Sequence, residues 1–186
     1  MIQNQLLFFI ISFCFFGCIT EEITNTPQNL STKVVEVKSK TGRIWMDRNL
    51  GASEAATSSS DIQSFGNLYQ WGRGSDGHQL RTSGTTTILS KNDVPLNKNF
   101  IIATNNPFDW RNPPNNNLWF GLNGINNPCP SGFRIPTKEE FLAEAAYWGN
   151  LNSGESAFNS PLKLPLPGYR ASNNALIKNA GSLGFY

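Results

Sequence analysis

The chain has 186 residues, of which 15% are charged, and its net charge is only +2. Such a small charge excludes a long-range field that would draw the protein to nucleic acid, so we expect no nucleic-acid partner. Removal of a predicted leader of 17 residues leaves 186 − 17 = 169 residues, enough for one domain with its own core.

The N-terminus carries a hydrophobic segment. Residues 6–17 have no charge, and Ser12 is the only ordinary polar side chain among them. A helix of this length would reach about 18 Å, which is short of the roughly 30 Å hydrocarbon core of a membrane. Residues 1–17 are therefore predicted to be a signal peptide that is removed on export.

This segment ends in Phe15-Phe16-Gly17-Cys18, where a small residue directly precedes a cysteine. The arrangement is similar to the processing site of bacterial lipoproteins, and it predicts that Cys18 is the lipidated first residue of the mature chain. Lipid on Cys18 would anchor the protein in a membrane of the cell envelope, as an outer-membrane lipoprotein exposed at the surface. The alternative is an ordinary secretory signal and a secreted protein.

A flexible tether is predicted for residues 18–32, which have no aromatic side chain and little apolar surface. The domain then occupies residues 33–186. It opens with two β-branched and apolar runs, residues 33–39 (KVVEVKS) and 43–49 (RIWMDRN). They flank Gly42, which can take the positive φ of a tight connection, so a β-hairpin is predicted.

The next segments alternate between polar and aromatic. Residues 51–61 are small and polar and predict a surface loop. In residues 62–71 (IQSFGNLYQW), the spacing of Phe65, Leu68 and Tyr69 predicts a short amphipathic helix despite Gly66.

Residues 104–130 hold nine asparagines and five prolines together with several aromatic rings. Because disordered segments are poor in aromatic residues, this stretch predicts a long ordered loop pinned by buried rings. Such a loop either binds a ligand or simply closes the domain.

A helix start is predicted at Thr137. Thr137 and Glu140 have the spacing of a capping box, and the helix is expected to run from residue 138 to about 148. Its buried face is predicted from the spacing of four side chains, which are Phe141, Leu142, Ala145 and Trp148. Residues 160–170 (SPLKLPLPGYR) alternate leucines with other residues and predict an edge or bulged strand that contains Pro165.

Little in the chain suggests catalysis. Asp76 and His78 are too few ligands for Ca²⁺ or Zn²⁺, so no metal and no cofactor are expected. His78 is predicted to be a hydrogen-bonded structural residue rather than a general base. Glu140 and Glu144 share one helix and are assigned to capping or solvation, which leaves no carboxylate pair for acid–base work. The protein is therefore predicted not to be an enzyme.

The candidate ligand-binding residues are loop aromatics and the polar groups near them. They are Trp71, His78, Arg81, Trp110 and Trp119. The tryptophan rings could stack on a sugar, with asparagine amides binding its hydroxyls. The alternative is that these rings are plugs of the hydrophobic core.

Four blocks of the chain carry a family resemblance: residues 41–53, 64–79, 126–141 and 158–170. Together they resemble the Fibrobacter succinogenes major paralogous domain, found in bacterial envelope and secreted proteins. The resemblance implies an α+β, C-type lectin-like domain that is loop-rich, with short antiparallel strands and about two helices. Residues 132–148 are also similar to a segment of formylglycine-generating enzymes.

Members of that family continue further and end in a strand that carries a cysteine. The resemblance therefore implies that the domain is truncated at its C-terminus, and that Cys129 forms a disulfide with a partner beyond residue 186. The alternative, a reactive Cys129, needs a nearby base, and His78 is distant in sequence.

These inferences predict an envelope-anchored lipoprotein with a non-catalytic, lectin-like binding or adhesion domain whose ligand is a carbohydrate or a protein. One alternative is an enzyme related to the formylglycine-generating oxidases. Another is a structural envelope lipoprotein.

Overall fold

The structure, a computed structural model, describes residues 18–20, 35–149 and 153–186. Within these ranges the protein is a loop-rich α+β fold, as the sequence predicts. The strands are β1 (Ile19–Thr20), β2 (Glu36–Lys38), β3 (Ile44–Met46), β4 (Thr85–Thr86), β5 (Phe100–Ile101), β6 (Phe133–Arg134), β7 (Tyr169–Arg170) and β8 (Ile177–Lys178), and the helices are α1 (Lys138–Ala145) and α2 (Gly154–Asn159). The predicted signal peptide lies outside the described residues. Neither helix in the described ranges has the length and apolar character needed to cross a membrane.

β2 and β3 form the predicted hairpin. They pair antiparallel, with Val37 opposite Trp45. The N–H of Gly42 donates to the carbonyl of Ser39 at 3.0 Å, and Gly42 has a φ of 86°, which glycine adopts without steric cost. The hairpin prediction is confirmed.

β1 lies in the middle of the largest sheet, whose strand order is β2-β3-β1-β6. It pairs antiparallel with β3 on one side and with β6 on the other. Because Cys18 and Ile19 are fully buried, the prediction of a tether over residues 18–32 is wrong for residues 18–20. A two-residue strand has too short a pattern to be distinguished from a linker. Residues 21–32 lie outside the described residues.

The described residues also form two smaller sheets. β4 and β5 pair in parallel, whereas β7 and β8 pair antiparallel. The guanidinium of Arg170 on β7 donates to the carbonyl of Ser83 at 2.9 Å and lies 4.4 Å from the ring centre of Phe100 on β5. A buried arginine therefore joins the two small sheets.

The helix predicted over residues 62–71 is wrong. Only Ile62–Ser64 form a single 3₁₀ turn, which the side chain of Asp61 caps. Gly66 follows with a φ of 65°, and a Cβ there would lie 2.5 Å from the carbonyl oxygen of Leu50. The close approach of the chain to Leu50 therefore requires glycine and prevents a continuing helix. The predicted apolar residues are nevertheless core, and Leu68 is fully buried.

α1 begins with the predicted capping box. The N–H of Glu140 donates to the Thr137 hydroxyl at 3.2 Å, and the N–H of Thr137 donates to the Glu140 carboxylate at 2.8 Å. The guanidinium of Arg134 binds both carboxylate oxygens of Glu140 at 2.8 Å. Mainly because of this contact, the pKa of Glu140 is lowered to about 2.

The buried face of α1 differs in part from the prediction. Ala145 is buried, and Phe141 and Trp148 pack on the core, but Leu142 is half exposed. Glu144, assigned from sequence to capping or solvent, is fully buried instead. The carboxylate of Glu144 accepts from the hydroxyl of Thr41, so a hydrogen bond offsets part of its burial.

Residues 160–170 do not form the predicted strand, and only Tyr169–Arg170 belongs to a strand. Lys163 has a φ of 51°, which breaks an extended run. The inward positions are as predicted, since Leu162 and Leu164 are buried. α2 was not predicted; Ser153 caps it by accepting from the N–H of Ser156.

Residues 104–130, all of them described, contain no helix or strand. Trp110, Leu118 and Trp119 are buried and hold the loop to the rest of the domain. This confirms an ordered loop pinned by rings. Phe120 is the exception, because its side chain is mostly exposed.

Candidate functional site

The polar residues of the glycine-rich segment 71–81 form a buried network. The guanidinium of Arg73 donates to the Asp76 carboxylate at 2.7 Å and to the carbonyls of Asn97 and Asn99 at 2.8 Å. The other carboxylate oxygen of Asp76 lies 2.7 Å from Nδ1 of His78. Arg73 and His78 are both fully buried. The network therefore fastens two loops from the inside.

The hydrogen bonds of His78 determine its protonation state. Nε2 lies 3.0 Å from the N–H of Gln70, which can only donate, so Nε2 must be unprotonated. Nδ1 then carries the proton and donates to Asp76. Burial lowers the pKa of His78 to about 4, even though the hydrogen bond to Asp76 favours the protonated ring and acts in the opposite direction. Burial favours a neutral Asp76, but the hydrogen bond from His78 and the charge of Arg73 lower the pKa of its carboxyl overall.

These contacts assign His78 a structural role. Both ring nitrogens are occupied inside the protein, and neither is exposed to a substrate. Within the described residues, no group of three or more His, Cys, Asp and Glu side chains could hold a metal ion. The arrangement fits the predicted structural histidine.

Of the tryptophans predicted to face a ligand, Trp110 and Trp119 are buried, whereas Trp71 is partly buried against the core. The indole N–H of Trp110 donates to the carbonyl of Trp71 at 2.6 Å, and that of Trp119 donates to the carbonyl of Arg73 at 3.2 Å. The Trp71 and Trp119 rings pack edge to face at 5.0 Å. Trp110 and Trp119 are buried, so they are core plugs and offer no open face for a sugar. This corrects their assignment as ligand-binding residues.

Arg81 also makes internal contacts. Its guanidinium donates to the carbonyl of Gly66 at 2.9 Å and to that of Pro167 at 2.8 Å. It lies 5.4 Å from the ring centre of Phe65. Arg81 therefore connects distant loops rather than reaching toward a ligand.

Cys18 and Cys129 form a disulfide with each other. This corrects two predictions, because the partner of Cys129 is not beyond residue 186 and the sulfur of Cys18 is not free to carry a lipid. Cys18 is also fully buried in a cluster that includes Met46 and Tyr69, which leaves no room for acyl chains. The two cysteines are 111 residues apart, and no local pattern could have indicated the pairing.

A surface that the sequence did not identify lies on two loops, residues 87–99 and 102–132. Six apolar side chains are exposed there. Two, Ile88 and Leu89, lie near the start of the first loop, and the other four have exposed fractions of 53% for Val94, 97% for Leu96, 79% for Phe120 and 66% for Ile125. We call these four side chains the apolar loop surface. Val94 and Leu96 flank Pro95 in a short segment (NDVPLNKN) that is otherwise polar, and two apolar residues are too few to give a periodic signal.

Asp93 and Asn126 hold the two loops together. The amide of Asn126 donates to the carbonyl of Asp93 at 2.6 Å and to that of Gly72 at 2.8 Å. The Asp93 carboxylate accepts a hydrogen bond from the amide of Asn115 at 3.0 Å. The same carboxylate forms an ion pair with Nε of Arg111 at 2.7 Å, although the two groups are not aligned as a hydrogen bond. Val94 follows Asp93 and Ile125 precedes Asn126, so this contact places both at the junction of the loops.

Comparison with protein-family models, with curated proteins and with solved structures finds no match to this chain.

Proposed function

We propose that this chain is an exported, non-catalytic binding domain that engages a protein ligand through the apolar loop surface. The observation that carries the proposal is the exposure of Val94, Leu96, Phe120 and Ile125 on loops that buried hydrogen bonds hold in place. A pre-ordered apolar surface loses little conformational entropy when a partner covers it.

The chemistry of the surface favours a protein over a carbohydrate. Three of its four side chains are aliphatic, and Phe120 is the only ring among them. Sugar sites depend on flat aromatic faces, whereas the rings of Trp110 and Trp119 are used in the core. Aliphatic and phenyl side chains suit the apolar centre of a protein interface.

A non-catalytic role is supported by the bonds that the histidine and the two described cysteines make within the protein. His78 makes two internal hydrogen bonds, and Cys18 and Cys129 are joined to each other. An enzyme related to the formylglycine-generating oxidases, the alternative from sequence, would need a reactive cysteine pair. The two described cysteines are instead used in a disulfide at the core, and Cys14 lies outside the described residues.

Export is supported by the disulfide, because such bonds persist in oxidising compartments. The sequence leaves two alternatives, a lipid anchor on Cys18 and an ordinary secretory signal. Because the sulfur of Cys18 is bonded to Cys129, we favour the secretory signal. The proposed location is therefore the cell exterior or envelope without a lipid on Cys18. A structural envelope protein with no soluble ligand is the competing proposal.

For the fold, we propose the C-type lectin-like domain and the resemblance to the Fibrobacter succinogenes major paralogous domain. Short antiparallel strands, two helices and a long ordered loop are consistent with it.

The test is binding of the labelled protein to envelope fractions of the producing bacterium. Leu96→Ser combined with Phe120→Ser should reduce binding at least tenfold, while Ile62→Ser, which alters another side chain with 75% exposure, should not. Protease treatment of the fractions should abolish binding, and periodate oxidation of their sugars should not. Binding that is absent, or equal in the double variant, contradicts the proposal, and periodate sensitivity would indicate a carbohydrate ligand.

A further inference from the structure

We propose that the position which β1 fills between β3 and β6 is a strand-binding site that also accepts β1 of a second copy of this chain. Two copies would then form a strand-swapped dimer joined by disulfides from Cys18 of each copy to Cys129 of the other.

The backbone of β1 completes the sheet. β3 and β6 do not pair with each other, and each pairs with β1. The carbonyl of Cys18 accepts from the N–H of Met46 at 3.0 Å. If β1 left, one edge of β3 and one edge of β6 would have backbone groups without hydrogen-bond partners inside the domain. The gap between them therefore requires another strand.

The side chains of this segment join two separate apolar clusters. Cys18 packs in the cluster that includes Met46 and Phe133, whereas Ile19 packs in the cluster formed with Trp45 and Leu164. Both Cys18 and Ile19 are fully buried. The site thus selects a strand with a small sulfur-bearing residue followed by an aliphatic one, which is the sequence that every copy of the chain carries.

The connection to the domain is long enough for exchange. The strand is joined to residue 35 through residues 21–34, which number 34 − 20 = 14. Fully extended, this connection would span about 50 Å, while a domain of this size has a diameter of roughly 40 Å. The strand can therefore reach the same site in a neighbouring copy. Because both arrangements make the same contacts, protein concentration during folding selects between them.

The covalent step is ordinary thiol–disulfide chemistry. The thiols of Cys18 and Cys129 together lose two protons and two electrons as their sulfur–sulfur bond forms. A small-molecule disulfide such as oxidised glutathione accepts them and leaves as two thiols. The balance is the same whether the two cysteines belong to one copy or to two.

The test uses two full-length chains with different tags, exported together from one bacterial host. One chain carries Cys18→Ser, the other carries Cys129→Ser, and both carry Cys14→Ser so that no third thiol takes part. Neither chain can form the bridge alone, but a swapped pair restores one Cys18–Cys129 bond. We expect a covalent heterodimer on a non-reducing gel, and peptide mapping should find the bridge between the two tagged chains.

Two soluble chains that stay monomeric would overturn the proposal, as would a heterodimer linked through other residues. If either variant fails to fold, unlabelled and ¹⁵N-labelled wild-type chains are reduced, mixed and refolded with oxidised glutathione at low and at much higher concentration. Bridged peptides of mixed label should increase with concentration. Bridges that always join peptides of the same label would equally overturn it.

Discussion

The carboxylate of Glu144 is fully buried and accepts a hydrogen bond of 2.9 Å from the hydroxyl of Thr41, which lies 103 residues earlier in the chain. The N–H of Thr41 lies 3.4 Å from the same carboxylate oxygen. Among the described residues, the other oxygen has no hydrogen-bond partner. One buried carboxylate therefore fastens the turn of the β2–β3 hairpin to α1.

Thr41→Val should weaken this connection. The substitution keeps the shape of the side chain but removes the hydroxyl donor, so the buried carboxyl group of Glu144 loses a hydrogen-bond partner. We expect the free energy of unfolding to fall by about 1–3 kcal/mol in urea titrations. Thr87→Val, at an exposed threonine, is the matched control and should change it by less than about 0.5 kcal/mol. Equal effects of the two substitutions would contradict the role of Glu144.

The lowered pKa of His78 predicts loss of stability in mild acid. The folded value is about 4, and the unfolded value is near 6.5. Between these values the unfolded chain binds a proton that the folded chain does not, so the contribution is complete above pH 6.5 and is lost as the pH falls toward 4. The full loss is about 3 kcal/mol. Because the pKa of Asp76 is lowered from its usual value of 3.8, the stability that its charge contributes is present above that value and is lost only at lower pH, outside this window.

The measurement is the free energy of unfolding at several pH values between 7 and 4. His78→Gln lowers stability overall but cannot titrate, so its curve should be flatter than that of the wild type across this window. A slope that is unchanged in the variant would assign the acid sensitivity to other groups.

Glu140→Gln should destabilise the start of α1. The charged hydrogen bonds to Arg134 are lost together with part of the capping box, at a cost of about 2 kcal/mol at pH 7. Because the folded pKa is about 2, against 4.5 for the free group, the advantage of the wild type should be lost as the pH falls from 4.5 to 2. Thermal or urea unfolding measures it. Glu139→Gln, in the same helical turn, is the control, and a comparable loss there would refute the specific role of Glu140.

Gly66→Ala should be more damaging than Gly42→Ala. Both glycines have positive φ, 65° and 86°, so both substitutions cost about 1 kcal/mol in backbone strain. Only at Gly66 would the new Cβ meet backbone, 2.5 Å from the carbonyl oxygen of Leu50, whereas the space at Gly42 is open. We expect Gly66→Ala to lose at least about 1–3 kcal/mol more in urea unfolding. Similar losses would show that the chain near Leu50 moves aside easily.

Local signals were enough to predict some elements of the fold. Thr137 and Glu140 determine the start of α1 from three residues apart, and Gly42 marks the hairpin turn. In both cases the residues that decide the structure are sequence neighbours, so few competing arrangements exist. The ordered loop around Trp110 was also predictable, because aromatic rings in a polar segment tend to be buried.

The elements that failed depended on distant residues. The helix predicted over residues 62–71 was prevented by the approach of Gly66 to Leu50, and the exposure of Phe120 could not be separated from the burial of Trp119 next to it. The sequence therefore proposed Trp110 and Trp119 as ligand-binding rings, whereas the structure buries both in the core. Only the folded chain determines which side of a loop faces solvent.

The sequence by itself determined an α+β chain with little net charge, a capped helix and an aromatic-pinned loop, because these follow from composition and from spacings of a few residues. The tertiary structure alone decided that Cys18 pairs with Cys129, that Glu144 binds Thr41 and that Asn126 binds the carbonyl of Asp93. Each of these contacts joins residues that are tens of positions or more apart, and their proximity depends on the path of the whole chain.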